Sequence, residues 1–145
     1  MAGVRRVCRS ILRYLYPLYV LLIVLQVYFA GEGIFGARDK DVNIEDAKQL
    51  DLHRDFGFFI AQPGALILLI LALLAWFPGT RLRVLSIVFP ILLIVQSLLP
   101  GPSRWIAALH PVNAFILLGM AGYLSWALWR SEALATEEPA AVRAT

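Results

Sequence analysis

No Asp, Glu, Lys or Arg occurs at positions 14–31, 56–80, 84–103 or 105–129. These windows are 18, 25, 20 and 25 residues long. A helix needs roughly 20 apolar residues to cross about 30 Å of hydrocarbon, so each window is close to or above the length of one span. Together they hold 88 of the 145 residues, which confines all 23 charged side chains to the other 57. The chain is 60% apolar and only 16% charged, against roughly 45–50% and 25% for soluble domains. An ordinary soluble fold is excluded. The pattern predicts an all-α, membrane-embedded antiparallel four-helix bundle with spans at about 11–30, 55–77, 83–99 and 105–129. Residues 1–130 then form one transmembrane domain, with no room for a soluble catalytic domain.

The basic residues indicate which way the chain runs. Arg5, Arg6, Arg9 and Arg13 precede the first window, and such flanks are held on the cytoplasmic side. The first apolar run is longer than a signal-peptide core, and Tyr28-Phe29-Ala30 offers no small-x-small cleavage site, so it is read as a retained span. Four spans return the carboxyl terminus to the cytoplasm, and the turn carrying Arg81 and Arg83 falls on the same side. The loop 31–54 is then extracytoplasmic, and Glu32 to Asp55 carries seven acids against four bases. The tail 131–145 is poor in apolar residues and is expected to be a disordered cytoplasmic segment. The expected location is the cell membrane, multi-pass, of bacterial inner-membrane type. The net charge of +3 reflects topology rather than nucleic-acid binding, and the lipid bilayer is the first expected partner. Cys8 is the one cysteine, so neither a disulfide within the chain nor a cysteine metal cluster can form.

Breakers are expected to end the spans: Gly31 and Gly33 after the first, Pro78-Gly79 after the second, Pro100-Gly101-Pro102 after the third. The short second and third connections require antiparallel neighbours, hence an up-down-up-down order. Pro17, Pro63 and Pro90 fall inside spans, where each frees a backbone carbonyl. No internal repeat of 20 to 50 residues stands out.

In hydrocarbon a polar side chain needs a partner, and the polar residues of these spans share one depth. Gln26 lies near the outer end of span one. His53 and Arg54 open span two, Gln96 and Ser97 lie near the outer end of span three, and His110 and Asn113 lie in the first turns of span four. In a sequentially wound bundle, spans two and four run parallel across a diagonal, so the chain's only two histidines start from the same side. At 3.6 residues per turn, His53 shares a face with Gly57, Ile60, Ala61 and Gly64. His110 shares one with Asn113, Ala114, Leu117 and Ala121. Gly57, Ala61 and Gly64 would leave a slot beneath paired imidazoles, suited to a flat macrocycle. The competing reading of the same glycines is a helix-packing stripe. Haem iron is commonly held by axial histidine, which makes His53 and His110 candidate iron ligands.

Other chemistry fits less well. Zinc needs more nitrogen, sulfur or carboxylate ligands than two histidines provide. Asp39 to Asn43 begins like a calcium loop, but Ile44 stands where Gly is required and Leu50 where the closing Glu belongs. No charged residue lies in the middle of a span to carry an ion. Asp51, His53 and Asp55 are placed for acid-base work, and equally for a helix start with Asp51 as its cap.

Leu52-His53-Arg54, a long apolar run to Ala75-Trp76, the Arg81/Arg83 turn and Ala108-Leu109-His110 together resemble one four-helix half of the heme A synthase family. They also resemble small four-span bacterial membrane proteins. The resemblance covers roughly residues 50–130 and implies that His53 and His110 are axial ligands of a b-type haem near the outer face, with Arg54 at a propionate. The family's active half carries Glu three residues before the first histidine, where this chain has Leu50, and the family has two such halves. Haem binding is therefore implied rather than heme A synthesis. The expected function is electron transfer or haem handling, with a membrane redox partner, a quinone or a larger membrane complex as candidate partners. The alternative is a cofactor-free membrane subunit or scaffold whose histidines sit at the interface.

Overall fold

The computed structural model describes residues 2–40, 43, 47–101 and 103–142, with side chains as far as Arg130. Asp41, Glu45 and Asp46 of the acidic loop, and the side chains of the expected tail, lie outside the described residues. Among the described residues every element is helical. Helix α1 spans Ala2–Asp39, a 3-10 turn Lys48–Leu50, α2 Asp51–Ala61, α3 Pro63–Ala75, α4 Thr80–Leu98, α5 Arg104–Ala107 and α6 Leu109–Val142. Four stretches, Ala2–Asp39, Lys48–Ala75, Thr80–Leu98 and Arg104–Arg130, are long and apolar enough to cross a membrane.

The helices close into a ring. Helix α1 packs against α2/α3 and α6, and α4 packs against the same two from the other side. This leaves α1 diagonal to α4, and α2 diagonal to α6. Lipid tails are as apolar as leucine, so packing rather than burial holds such a bundle together. The packed stripes follow the helical period: Leu12, Tyr16, Tyr19 and Ile23 on α1, Ala65, Leu68 and Ala72 on α3, Phe89 and Leu93 on α4, Leu117, Ala121, Leu124 and Leu128 on α6. Across the α1–α4 diagonal, Phe89 takes both Tyr16 and Tyr19 edge-on, with ring centres 5.8 and 5.7 Å apart.

One sequence expectation is corrected. Gly31 and Gly33 do not end the first span, because α1 continues through both to Asp39. At 1.5 Å per residue its 38 residues make a rod of about 57 Å, well beyond the hydrocarbon. Its overhanging end packs on the 3-10 turn: a Cβ on Gly33 would lie 2.6 Å from Leu50 Cδ2 and 2.8 Å from the Gln49 carbonyl oxygen. Ala37, Ala47 and Leu50 form a small second core there. Gly33 thus serves close approach, and a helical residue with room for nothing larger is not a breaker. Part of the expected 31–54 loop is accordingly helix.

Like positions recur between the two halves of the chain. Tyr19, Ile23 and Gln26 on α1 match Phe89, Leu93 and Gln96 on α4, each pair 70 positions apart. His53, Gly57 and Ile60 on α2 match His110, Ala114 and Leu117 on α6, each pair 57 apart. The two pairs make the same contacts, Gln26 with His53 and Gln96 with His110. Identities such as Gly57 and Ala114, or Tyr19 and Phe89, differ too much for the repeat to show in the sequence.

Of the three prolines expected within spans, Pro17 and Pro90 sit inside continuous helices. Pro63 instead marks a break: Gln62 joins α2 to α3 with φ −102° and ψ −77°, and Pro63 takes the first position of α3. The Tyr19 hydroxyl donates to the Ile60 carbonyl at 3.1 Å, in a buried site. This supplies a donor beside the break, where the proline has none to give.

Candidate functional site

His53, in the first turn of α2, and His110, in the first turn of α6, start parallel spans on diagonal corners of the ring. Their ring centres lie 6.2 Å apart with planes at 78°. The span order expected from the sequence thus brings the two imidazoles together as an edge-on pair.

Each ring is tied to the span that precedes it. His53 Nδ1 donates to the Gln26 carbonyl at 3.1 Å, and Gln26 Nε2 donates back to the His53 carbonyl at 2.8 Å. His110 Nδ1 donates to the Gln96 carbonyl at 3.0 Å, and Gln96 Nε2 donates to the His110 carbonyl, also at 3.0 Å. The donor assignment at the rings is chemical, since a carbonyl oxygen only accepts. Both histidines are half-buried.

A cavity of about 330 Å³ opens beside the pair, at the small end of the range for ligand pockets. All four spans line it, including Gln26, His53, Ala61, Gln96, His110 and Ala114. Val27, Phe58 and Phe115 also contribute, and each is more than half exposed, so the cavity opens toward the outer surface of the bundle.

The residues expected to line the site divide into two groups. Arg54, Gly57, Ala61 and Ala114 do line the cavity. Arg54 Nη1 donates to the Ala47 carbonyl and the Asp51 carboxylate, both at 3.2 Å. Asn113 and Gly64 lie outside the lining. Asn113 is buried and donates through Nδ2 to Gln96 Oε1 at 2.7 Å and to the Leu92 carbonyl at 3.1 Å. Of the three residues expected to leave a slot, Gly57 and Ala61 line the cavity and Gly64 does not, and both glycines are closely packed. A Cβ on Gly57 would strike Gln26 Nε2, and one on Gly64 would strike the Tyr19 hydroxyl. Both glycines are helix-packing residues, and the space beneath the rings is kept by Ala61 and Ala114.

From the sequence, Gln26 and Gln96 stand out only as polar residues at the right depth. Their role as clamps needs the third dimension, although one signal is present: each amide ends the span before a span that opens with histidine. A further polar contact has no forerunner in the sequence pattern: Gln62 Nε2 donates to Ser97 Oγ at 2.6 Å, and Ser97 Oγ donates on to the Ile94 carbonyl at 2.8 Å. Among the described residues, no group of three or more His, Cys, Asp or Glu side chains is placed to share a metal ion.

Residues 26–104, just over half of the chain, match the model of a family of unknown function, DUF6220. The chain belongs to that family. No curated protein and no solved structure matches it.

Proposed function

We propose that this DUF6220 member is an integral membrane haem protein, in which His53 and His110 bind one b-type haem near the outer face. The observation that carries the reading is the 6.2 Å between ring centres. A histidine nitrogen sits about 2.0 Å from a first-row metal, and a five-membered ring adds roughly 1.1 Å from nitrogen to ring centre. An iron held between two imidazoles thus spaces the ring centres by about 6 Å. The small residues Ala61 and Ala114 leave room at the pair, and the lateral opening past Val27, Phe58 and Phe115 suits a macrocycle larger than the enclosed space. Arg54 is the one arginine or lysine among the described residues that line the cavity, and it is placed for a propionate, with Nη1 oriented by Asp51.

Bound there, haem would supply a one-electron couple. His53 and His110 would both hold the group, and iron so held by two protein histidines would serve electron transfer or haem handling rather than oxygen chemistry. The chain's own part is to hold both rings at fixed spacing and to keep the group at one depth. The arginine-rich end, with Arg5, Arg6, Arg9, Arg13, Arg81, Arg83 and Arg130, is assigned to the cytoplasm by the positive-inside rule. The histidine end then faces outward in the cell membrane, toward a membrane redox partner, a quinone or a larger complex.

The test is a pyridine haemochrome assay on detergent-purified chain from haem-replete cells. About one haem per chain supports the proposal, with the haem lost on His53→Ala or His110→Ala. Haem-free protein rejects it and favours the scaffold alternative, in which an edge-on ring pair at this separation is ordinary packing.

A further inference from the structure

His53 and His110 are each gripped at two points by one glutamine. The main-chain carbonyl of that glutamine receives the ring Nδ1–H, and its side-chain amide reaches back to the carbonyl of the histidine itself. The first contact fixes the proton on Nδ1 and the rotation of the ring. The second ties the two helix backbones at the level of the ring, so the imidazole cannot turn without breaking a contact between spans.

We propose that Gln26 and Gln96 are positioning residues that hold His53 and His110 as a matched pair of Nδ1–H tautomers, presenting two Nε2 lone pairs to a single electron-pair acceptor. Such a site takes a metal centre and refuses an anion. A ring whose Nδ1–H is held by a carbonyl is also the more basic and better oriented ligand. The proposal deepens the haem reading and rests on it only for the identity of the acceptor.

The two clamps differ in one respect. Asn113 holds the Gln96 side chain by its Oε1 and is itself anchored to the Leu92 carbonyl. Gln26 Oε1 is buried with no hydrogen-bond partner among the described residues, and Phe56 occupies the position that matches Asn113, 57 residues earlier. The clamp on His110 is braced, and the clamp on His53 depends on one amide donor. His53 is therefore the looser of the two rings.

The deciding measurement is ring 15N NMR on the full chain in detergent, labelled at histidine and produced in haem-deprived cells. Both rings should show the Nδ1–H pattern at neutral pH, with sharper signals from His110. Asn113→Leu should broaden or shift the His110 signals and leave those of His53 in place, while Gln26→Met should do the reverse. An Nε2–H tautomer or an imidazolium in either ring overturns the proposal, as does a variant that moves both rings or neither. The parent spectrum settles the tautomer even where a variant fails to fold. A chain that carries no haem when purified from haem-replete cells but shows both Nδ1–H rings sinks the haem identification and leaves the clamps standing. A haem-loaded chain whose rings, once stripped, show the other tautomer does the opposite.

Discussion

Three glycines show how much a single residue's surroundings decide. A Cβ added at Gly31 would meet nothing within 4 Å, so Gly31→Ala should be neutral or stabilising by up to about 1 kcal/mol, the helix-interior cost of glycine. Gly64 lies against the Tyr19 hydroxyl, a buried group on a rigid ring already bonded to the Ile60 carbonyl. Gly64→Ala should therefore cost about 1–3 kcal/mol, as overpacking does, read as lower resistance to unfolding in detergent. Gly57 meets only the flexible end of Gln26. Gly57→Ala should displace that amide from the His53 carbonyl, changing the site more than the stability. From sequence these three glycines are indistinguishable, because the partner that defines each role lies on another helix or is absent. The histidines are legible because the chain has only two and they open parallel spans. Asn113 is legible as polar and at the right depth, but its bond to Gln96 rather than to a ligand depends on the rotation of α4 against α6.

At the scale of elements, the arginines tie the ends of different helices together. Helix α3 ends at Trp76 in the left-handed region, φ 39°, and its last carbonyls are taken by side chains of other segments. Arg9 of α1 donates to the Ala75 and Trp76 carbonyls, both at 2.9 Å, and Arg83 of α4 donates to the Phe77 carbonyl at 2.9 Å. Cations at a helix carboxyl end are favoured by its dipole. Arg9→Met should leave those carbonyls to interfacial water and lower stability by about 1–3 kcal/mol, the value of hydrogen bonds from a charged donor. A Leu12→Met control nearby should change little. Aromatic rings complete this end, with Arg13 over Trp129 at 3.7 Å, Arg83 over Trp76 at 4.4 Å and Arg81 over Tyr123 at 4.7 Å. In the sequence the basic flanks are visible as charge. Their hydrogen bonds and stacking partners lie as many as 116 positions away, between Arg13 and Trp129, where no local pattern reaches. The end of α1 escapes a local reading for a related reason: glycine is a breaker only where nothing favours continuing the helix, and the contact with Leu50 does.

For the whole molecule, four charge-free windows are enough to place four long apolar helices in a ring, and span order is enough to put the two histidines on one diagonal. What composition cannot carry is that Gln26 clamps His53 as Gln96 clamps His110, because each contact joins two separate helices. The membrane orientation proposed from the asymmetry of charge is open to direct measurement. With Cys8 replaced by Ser, a cysteine at Ser103 should react with a membrane-impermeant maleimide in intact cells, and a cysteine at Gly79 only after lysis. The reverse pattern would place the histidine end inside.

Joint ligation of one haem by His53 and His110 is tested most directly by the visible spectrum of the dithionite-reduced, detergent-purified chain. The expected result is a Soret band with sharp six-coordinate low-spin bands in the parent and their loss in each single histidine variant. A colourless parent, or a parent spectrum that survives both His53→Ala and His110→Ala unchanged, would contradict it.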